Sequence, residues 1–355
     1  MSQTRSPDKP PTGSFALTPR RDTFWSIFSK HQLWPNRRPD FSKVSVAGHT
    51  AVITGGNTGI GLECGRLMLA QGLSHLVIAS RSKARGETAA ATLRKAYPEA
   101  KIEVWQLDMD SYDSIKSFAR YCTKLERLDS VILGAGIMNV TLEVNASTGF
   151  EEMIQVNYLS QALLGLLLLP TMKAKKRSDS IPRISLVASG AAMIAEFVER
   201  NEDPLMPAFK NTEGWNSTVA KKRYDDSKGM VLMLTHKLST LVDAKDVIVN
   251  VVDPTFTPGT GFFRDVPIII RALTWPINKL IGTSVNNAGW RYFDGAAVRG
   301  EESHGSLISD WEISPFNFFM HTEEGRTYMD RLWSCTREEL DMPEVHEAMA
   351  SLGQE

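Results

Sequence analysis

Short runs of β-branched and apolar residues alternate with stretches of helical periodicity from Thr50 onward. The strand pattern occurs at residues 51–54, 75–80, 102–107, 130–133, 183–188 and 247–252. Helical periodicity fills the intervals, at residues 59–71, 84–97, 112–125, 150–175 and 222–242. Strands that alternate with helices form βαβ units with right-handed crossovers. The sequence therefore predicts an α/β fold around a doubly wound parallel sheet, with its switch point near the first and fourth strands.

Two segments outside this region do not share its pattern. Residues 1–47 begin with a stretch rich in Pro, Ser, Thr and Arg, and we predict a partly disordered N-terminal extension there. Residues 48–340 are predicted to form one domain, followed by a C-terminal tail at residues 341–355. A domain of about 300 residues buries about three quarters of its unfolded surface, so it needs no disulfide or metal to hold it together.

Charge and cysteine content exclude two classes of site. The net charge of −1 argues against a nucleic acid partner, because phosphate binding requires a concentrated positive field. Cys64, Cys122 and Cys335 are far apart and have neither metal-ligand spacing nor a disulfide framework. We therefore predict no metal site and buried free thiols in a reducing compartment, which favours a cytoplasmic location.

Two apolar segments are too short to span a bilayer. The run at residues 163–169 stops at Pro170 and is predicted to be a buried helix. The aromatic residues at 24–28 and 33–35 could touch a membrane surface or a partner. Packing of this aromatic segment on its own domain is the interpretation we favour over peripheral membrane contact.

A glycine-rich loop follows the first predicted strand and opens the first helix. In Thr54-Gly55-Gly56-Asn57-Thr58-Gly59-Ile60-Gly61, Gly55 allows a sharp turn, Gly59 allows backbone amides to approach a pyrophosphate, and Gly61 allows the helix to sit close to the sheet. The helix N-terminus adds partial positive charge. This context predicts a dinucleotide-binding Rossmann fold, with cofactor contacts from Gly55, Asn57, Thr58, Gly59, Ile60 and Gly61.

The end of the second strand points to the cofactor. NAD-preferring sites place an acidic residue there, whereas this chain has Ser80 and then Arg81, which can fork onto a 2′-phosphate. Lys83 and Arg85 add positive charge, so we predict NADP(H). Asp108, after the third strand, could reach the adenine amino group or could only cap its loop, and spacing alone leaves both interpretations open.

Tyr224 and Lys228 are four residues apart in a predicted helix and therefore share one face. Free tyrosine has a pKa near 10, which is too high for proton transfer at neutral pH. A lysine about 4 Å away would favour the phenolate and bring the pKa closer to the working pH. This four-residue spacing occurs by chance in many helices. It indicates a catalytic pair here because a dinucleotide-binding glycine loop lies upstream.

With these motifs the chain resembles a short-chain dehydrogenase/reductase over about residues 48–340. The family's Thr-Gly-x-x-x-Gly-x-Gly motif matches residues 54–61, and its Tyr-x-x-x-Lys pair matches Tyr224 and Lys228. Its catalytic serine matches Ser189, and its helix asparagine matches Asn157. The resemblance implies that Ser189 binds the substrate oxygen, that Asn157 holds a water for proton relay, and that Lys228 also binds the nicotinamide ribose.

Two positions depart from the family's pattern. The usual Asn-Ala-Gly after the fourth strand is Gly134-Ala135-Gly136 here, which still allows the cofactor to approach Gly134. The usual Pro-Gly after the sixth strand is Pro254-Thr255. We therefore name Phe256 and Thr257 as the candidates for contacts with the nicotinamide carboxamide.

Later features resemble the branch with retinol dehydrogenases, protochlorophyllide reductases and fungal secondary-metabolite reductases. They are Trp215-Asn216, residues 305–310 and residues 331–333. This resemblance implies a bulky, apolar carbonyl or alcohol substrate and a substrate lid around residues 256–300. The apolar stretch at 266–281 could be that lid, a membrane-surface helix, or a core or dimer helix.

The resulting hypothesis is an NADP(H)-dependent oxidoreductase that interconverts a ketone or aldehyde and an alcohol, and that could form a homodimer. An NADP(H)-binding sensor or scaffold without turnover is the alternative. The set Asn157, Ser189, Tyr224 and Lys228 argues against this alternative, because a binding module does not need all four residues.

Overall fold

One sheet of eight strands organises the part of the chain that the computed structural model describes, residues 13–33, 35–258 and 282–354. Its order is β3-β2-β1-β4-β5-β6-β7-β8, and only β8 runs antiparallel to its neighbour. The strands are β1 Thr50–Thr54, β2 His75–Ser80, β3 Lys101–Gln106, β4 Ser130–Leu133, β5 Arg183–Val187, β6 Ile248–Asp253, β7 Ser306–Ser309 and β8 Glu312–Ser314. The predicted doubly wound sheet and its switch point between β1 and β4 are confirmed.

Helices cover both faces of the sheet. They are α1 Phe24–Phe28, α2 Gly59–Ala70, α3 Lys83–Ala96, α4 Tyr112–Cys122, α5 Glu152–Ala174, α6 Leu205–Ala208, α7 Ser217–Ser239, α8 Val285–Phe293, α9 Glu323–Glu339 and α10 Pro343–Ser351. Because helices pack on both faces, every residue of β1, β4 and β6 is buried. The central strands therefore read as continuous apolar runs, as their sequences predicted.

The long helix α5 lies inside the domain. By length and composition alone it could cross a membrane, but 89% of its apolar window is buried in the structure. Leu163, Leu164 and Leu168 are fully buried. The predicted buried helix at residues 163–169 is therefore confirmed, and Pro170 lies within the helix instead of ending it.

The described parts of both terminal segments pack on the domain. The Ser14 hydroxyl donates to the Ser314 carbonyl (2.5 Å) and accepts from the Leu307 amide (2.8 Å), which ties residue 14 to β7 and β8. Near the other end, Val345 and Met349 of α10 are buried in the main hydrophobic core. Residues 13–33 and 343–351 therefore belong to the same packed unit as the sheet.

The last two strands were missed from the sequence. They are four and three residues long, too short for a clear periodic pattern. Asp310 and Trp311 join them with φ of 51° and 72°. A two-residue hairpin turn with both residues in the left-handed region is normally made by Asn-Gly or a similar pair, so these residues gave no turn signal.

Candidate active site

A cavity of about 590 Å³ opens at the carboxyl ends of the central strands. The glycine loop lines one side, and Ser189, Tyr224 and Lys228 line the other. Ligands of doubly wound sheets bind at this edge, beside the switch point. Other predicted residues on its wall are Asn57, Thr58, Gly59, Ile60, Gly134, Phe256 and Thr257.

The glycine loop has the geometry that its sequence predicts. Gly55 and Gly59 have φ of 69° and 56°, in the region that glycine tolerates best. A Cβ on Gly55 would lie 3.3 Å from the Ala135 backbone, and one on Gly61 would lie 2.8 Å from the Gly55 carbonyl oxygen. The Thr58 side chain makes no capping hydrogen bond at the start of α2. The loop and the α2 N-terminus thus form a cradle that fits a pyrophosphate.

Tyr224 and Ser189 meet through a side-chain hydrogen bond. Burial raises the pKa of the Tyr224 phenol above its ordinary value, and the hydrogen bond from Ser189 opposes this increase. The negative charges of Asp225 and Asp253 raise the same pKa further. The resulting phenol is protonated at neutral pH, which is the state required to protonate an alkoxide oxygen.

Lys228 lies next to this pair in α7 and is buried. Its ammonium donates a hydrogen bond to the Val187 carbonyl oxygen at the end of β5 (3.0 Å). Burial lowers the pKa of Lys228 from its ordinary 10.5 to about 8. The side chain is therefore mostly cationic at neutral pH and can hold a developing phenolate nearby.

Asn157 braces the loop that follows β4. Its side-chain oxygen accepts from the Ile137 amide (2.8 Å), while its nitrogen donates to the Ile137 carbonyl (2.9 Å) and to Ser227 (3.0 Å). A Cβ on Gly136 would lie 3.1 Å from the Lys228 nitrogen and 3.2 Å from the Asn157 oxygen. Asn157 thus holds the loop close to Lys228, and its role in a water relay stays a prediction.

The two arginines that follow β2 differ in their position relative to the cavity. Both are exposed, but Arg85, in the first turn of α3, lies on the cavity wall, whereas Arg81 does not line the described cavity. The Arg81 charge still acts on the carboxyl of Asp110. Asp108 accepts the Asp110 amide (3.1 Å), as expected of a loop cap, and its contact with adenine stays a prediction.

Asp226 has a structural role that sequence reasoning missed, although it lies inside the Tyr224–Lys228 motif. Its carboxylate accepts three backbone amides, from Glu196 (2.9 Å), Phe197 (2.8 Å) and Val198 (2.9 Å). These bonds anchor the segment after Ser189 to α7. A carboxylate on a helix face gives no sequence signal for such remote partners.

Part of the cavity wall, next to Gly190, comes from the N-terminal extension, which sequence reasoning did not place in the site. Its residues on the cavity wall are Phe24, Ile27, Phe28, His31 and Gln32. The aromatic composition of residues 24–28 was the available signal, and it favoured packing on the domain over membrane contact without indicating the cavity. Of the predicted lid, residues 259–281 lie outside the described residues, and α8 packs against α2.

Comparison with known proteins identifies the family. A model described as short chain dehydrogenase matches residues 49–198. The chain is 42% identical to the short chain dehydrogenase virL of Hypocrea virens over 84% of this chain and 86% of that protein. This chain belongs to the short-chain dehydrogenase family. The short chain dehydrogenase/reductase mfmJ of Annulohypoxylon moriforme is similarly related, at 41% identity over 85% of this chain and 87% of that protein.

A solved structure described as the Pseudomonas aeruginosa RhlG/NADP active-site complex shares the fold. Its TM-score is 0.56 at 20% identity, and the match covers 81% of this dehydrogenase and all of that chain. Among the described residues of this dehydrogenase, no cluster of His, Cys, Asp or Glu could hold a metal ion. The family assignment and the fold together support an oxidoreductase, and the candidate residues Ser189, Tyr224 and Lys228 line the described cavity.

Proposed function

We propose that this dehydrogenase uses NADPH to reduce a ketone or aldehyde on a bulky, largely apolar small molecule, and that the reaction is reversible. The observation that carries the proposal is the hydrogen-bonded Ser189–Tyr224 pair, placed in one cavity with Lys228 and the glycine loop. The resemblance to fungal secondary-metabolite reductases favours such a substrate. The cytoplasmic location and a homodimer stay predictions.

NADP(H) fits the residues around the cavity. Gly55 and Gly61 let the loop pack closely on neighbouring backbone, where a Cβ would crowd it, and this packing forms the turn at the α2 N-terminus that suits a pyrophosphate. Strand β2 ends without an acidic residue, and Arg81 and Arg85 follow it. A similarly folded Pseudomonas aeruginosa protein is described with NADP, which agrees with this choice.

The nicotinamide would supply a hydride to the carbonyl carbon. Ser189 would turn its hydroxyl hydrogen from the Tyr224 oxygen to the substrate carbonyl oxygen, and this hydrogen bond would hold the carbonyl beside the Tyr224 hydroxyl. Tyr224 would then give its proton to the oxygen as the negative charge develops there. The positive charge of Lys228 would stabilise the phenolate that remains, until a proton from solvent restores the phenol.

We expect the Arg85→Ala and Arg81→Ala variants to bind NADPH about tenfold more weakly while NADH binding hardly changes. A guanidinium can contact the 2′-phosphate that only NADPH carries, and such a charge-assisted hydrogen bond contributes about 1.5–3 kcal/mol. Cofactor fluorescence titration gives both dissociation constants. The matched control is Lys95→Ala. Lys95 is an exposed cation in the last turn of α3, the helix that contains Arg85. Equal losses for NADPH and NADH would refute the phosphate role.

An NADP(H)-binding sensor or scaffold is the second candidate, since the same cradle would serve it. Incubating the purified protein with NADPH and a panel of ketones and aldehydes separates the two functions. We expect NADPH absorbance to decrease with at least one bulky apolar carbonyl compound, and NADP⁺ to be reduced with the corresponding alcohol. NADPH binding without turnover across the panel would favour the sensor and contradict the proposed reduction.

A further inference from the structure

The helix α1 and the first four residues of the turn that continues it, Ser29–Leu33, form one side of the cavity; we call residues 24–32 the N-terminal wall. The start of this wall is locally stable, because Thr23 and Ser26 form a reciprocal capping box. Five residues of the wall line the same cavity as Tyr224 and the glycine loop. The wall therefore faces the place where the proposed substrate would react.

Close packing fixes the middle of the wall beside the catalytic serine. Gly190 directly follows Ser189, and a Cβ on Gly190 would lie 3.0 Å from the Ile27 Cγ2 atom. A contact this short means that a larger residue at position 190 would push Ile27 away. The absence of a side chain on Gly190 thus lets Ile27 lie directly beside the reacting end of the cavity.

Polar contacts hold the other end of the wall. His31 is buried, with its Nδ1 atom 3.5 Å from the Asp253 carboxylate and its Nε2 atom 3.4 Å from the Ser309 hydroxyl. The Ser309 hydroxyl donates to the same carboxylate (3.1 Å). The Gln32 amide donates to the Phe256 carbonyl oxygen (3.5 Å). These contacts tie the wall to the ends of β6 and β7.

The apolar side chains of α1 lie on the surface of the cavity and not in the core. No residue of α1 is buried, and Phe24 is 55% exposed, although its ring stacks on Phe28 at 5.9 Å between centroids. An amphipathic helix that only packed on its domain would bury this face. Apolar surface that stays open beside a catalytic site is covered favourably by an apolar ligand.

We propose that the N-terminal wall selects the substrate: Phe24, Ile27 and Phe28 contact the apolar body of a large carbonyl compound whose oxygen is bound by Ser189 and Tyr224. This inference rests on the proposed reduction. The Gln32 side-chain oxygen is buried and lacks a hydrogen-bond partner in the described structure, so it offers an acceptor to a hydroxyl group on that substrate.

The test compares Ile27→Ala and Phe28→Ala with Leu33→Ala in the full-length protein. Leu33 is 49% exposed, does not line the cavity, and loses as many carbons on substitution as Ile27. The first readout is kcat/KM for a bulky aryl ketone divided by kcat/KM for 2,3-butanedione, which offers much less apolar surface for the wall to contact. The second, independent of turnover, is the dissociation constant of the apolar dye 8-anilinonaphthalene-1-sulfonate.

We expect the substrate ratio to fall about tenfold or more in Ile27→Ala and Phe28→Ala, because each variant loses several apolar contacts to the bulky ketone. Dye binding should weaken at least about threefold in the same variants, by the same loss of contact. Leu33→Ala should match the wild type in both readouts, and NADPH affinity should be equal in all four proteins.

Each outcome is decisive. In a protein that reduces ketones, an unchanged substrate ratio overturns the role of the wall, whatever the dye shows. If the wild type turns over neither a ketone nor an aldehyde, the proposed reduction fails. Weakened dye binding in the two wall variants then still supports the wall as a ligand-contacting surface, and unchanged dye binding overturns it as well.

Discussion

Replacing Tyr224 with phenylalanine should lower kcat for carbonyl reduction about 10³-fold or more while NADPH binding stays close to that of the wild type. The substitution removes only the hydroxyl, which is the group that would donate the proton to the substrate oxygen. General acid catalysis of this kind contributes about 10²–10⁴-fold. The ring remains, so the packing of Tyr224 on Met153 and Ala220 is preserved. Steady-state turnover and NADPH fluorescence titration measure the two properties.

Tyr121→Phe is the matched control, because Tyr121 is 54% exposed on α4 and does not line the cavity. It should show wild-type turnover. Retained turnover in Tyr224→Phe would mean that another group protonates the substrate, and our assignment would be wrong. Loss of NADPH binding together with turnover would instead place the Tyr224 hydroxyl in the cofactor site.

Ser189 and Lys228 make different contacts around Tyr224. Sequence reasoning assigned the tuning of Tyr224 to the charge of Lys228, whereas the structure shows Ser189 as the hydrogen-bond partner that lowers the phenol's pKa against burial. Lys228 instead donates to the Val187 carbonyl. A hydrogen bond that lowers the pKa of a phenol stabilises the phenolate, so the hydroxyl of Ser189 and the charge of Lys228 would both act on the state of Tyr224 that follows proton transfer.

The central fold was predictable because its signals are local. Strands buried on both faces read as short apolar runs, and the glycine loop lies between one such run and a helix. The bounds of β2 and β4 match their predictions, and other central elements shift by a few residues. Frayed helix ends and shared turn residues account for shifts of this size.

The wall of the site was not predictable, because its placement depends on remote contacts. His31 and Asp253 are far apart in sequence, and nothing in residues 24–32 identifies β6 as their partner. Ile27 can approach the site only because Gly190 lacks a side chain. The sequence thus named candidate reacting groups that the structure brings to one cavity, whereas the surface that would bind the substrate's body became visible only in three dimensions.

Replacing Arg291 with methionine should be the most destabilising single change among those considered. The guanidinium of Arg291 lies 2.9 Å from the Asp310 carboxylate, and their side chains are only 4% and 1% exposed. The other Asp310 carboxylate oxygen accepts the Asn36 amide (2.8 Å), so the pair also secures the extension. Removing one partner leaves an uncompensated buried charge, which costs about 3–5 kcal/mol. Thermal unfolding should then show a lower Tm, by about 5 °C or more.

The control is Arg177→Met, which breaks an exposed pair with Glu126 and should cost less than about 1 kcal/mol. Adding Asp310→Asn to Arg291→Met should recover part of the lost Tm, because asparagine removes the unpaired charge and tolerates the left-handed backbone at that position. If Arg291→Met and Arg177→Met have the same Tm, the buried pair does not stabilise the fold.

The pair joins α8 to the β7–β8 turn, and α8 packs on the glycine-loop helix α2. Its loss should therefore destabilise the cofactor side of the domain together with the edge of the sheet.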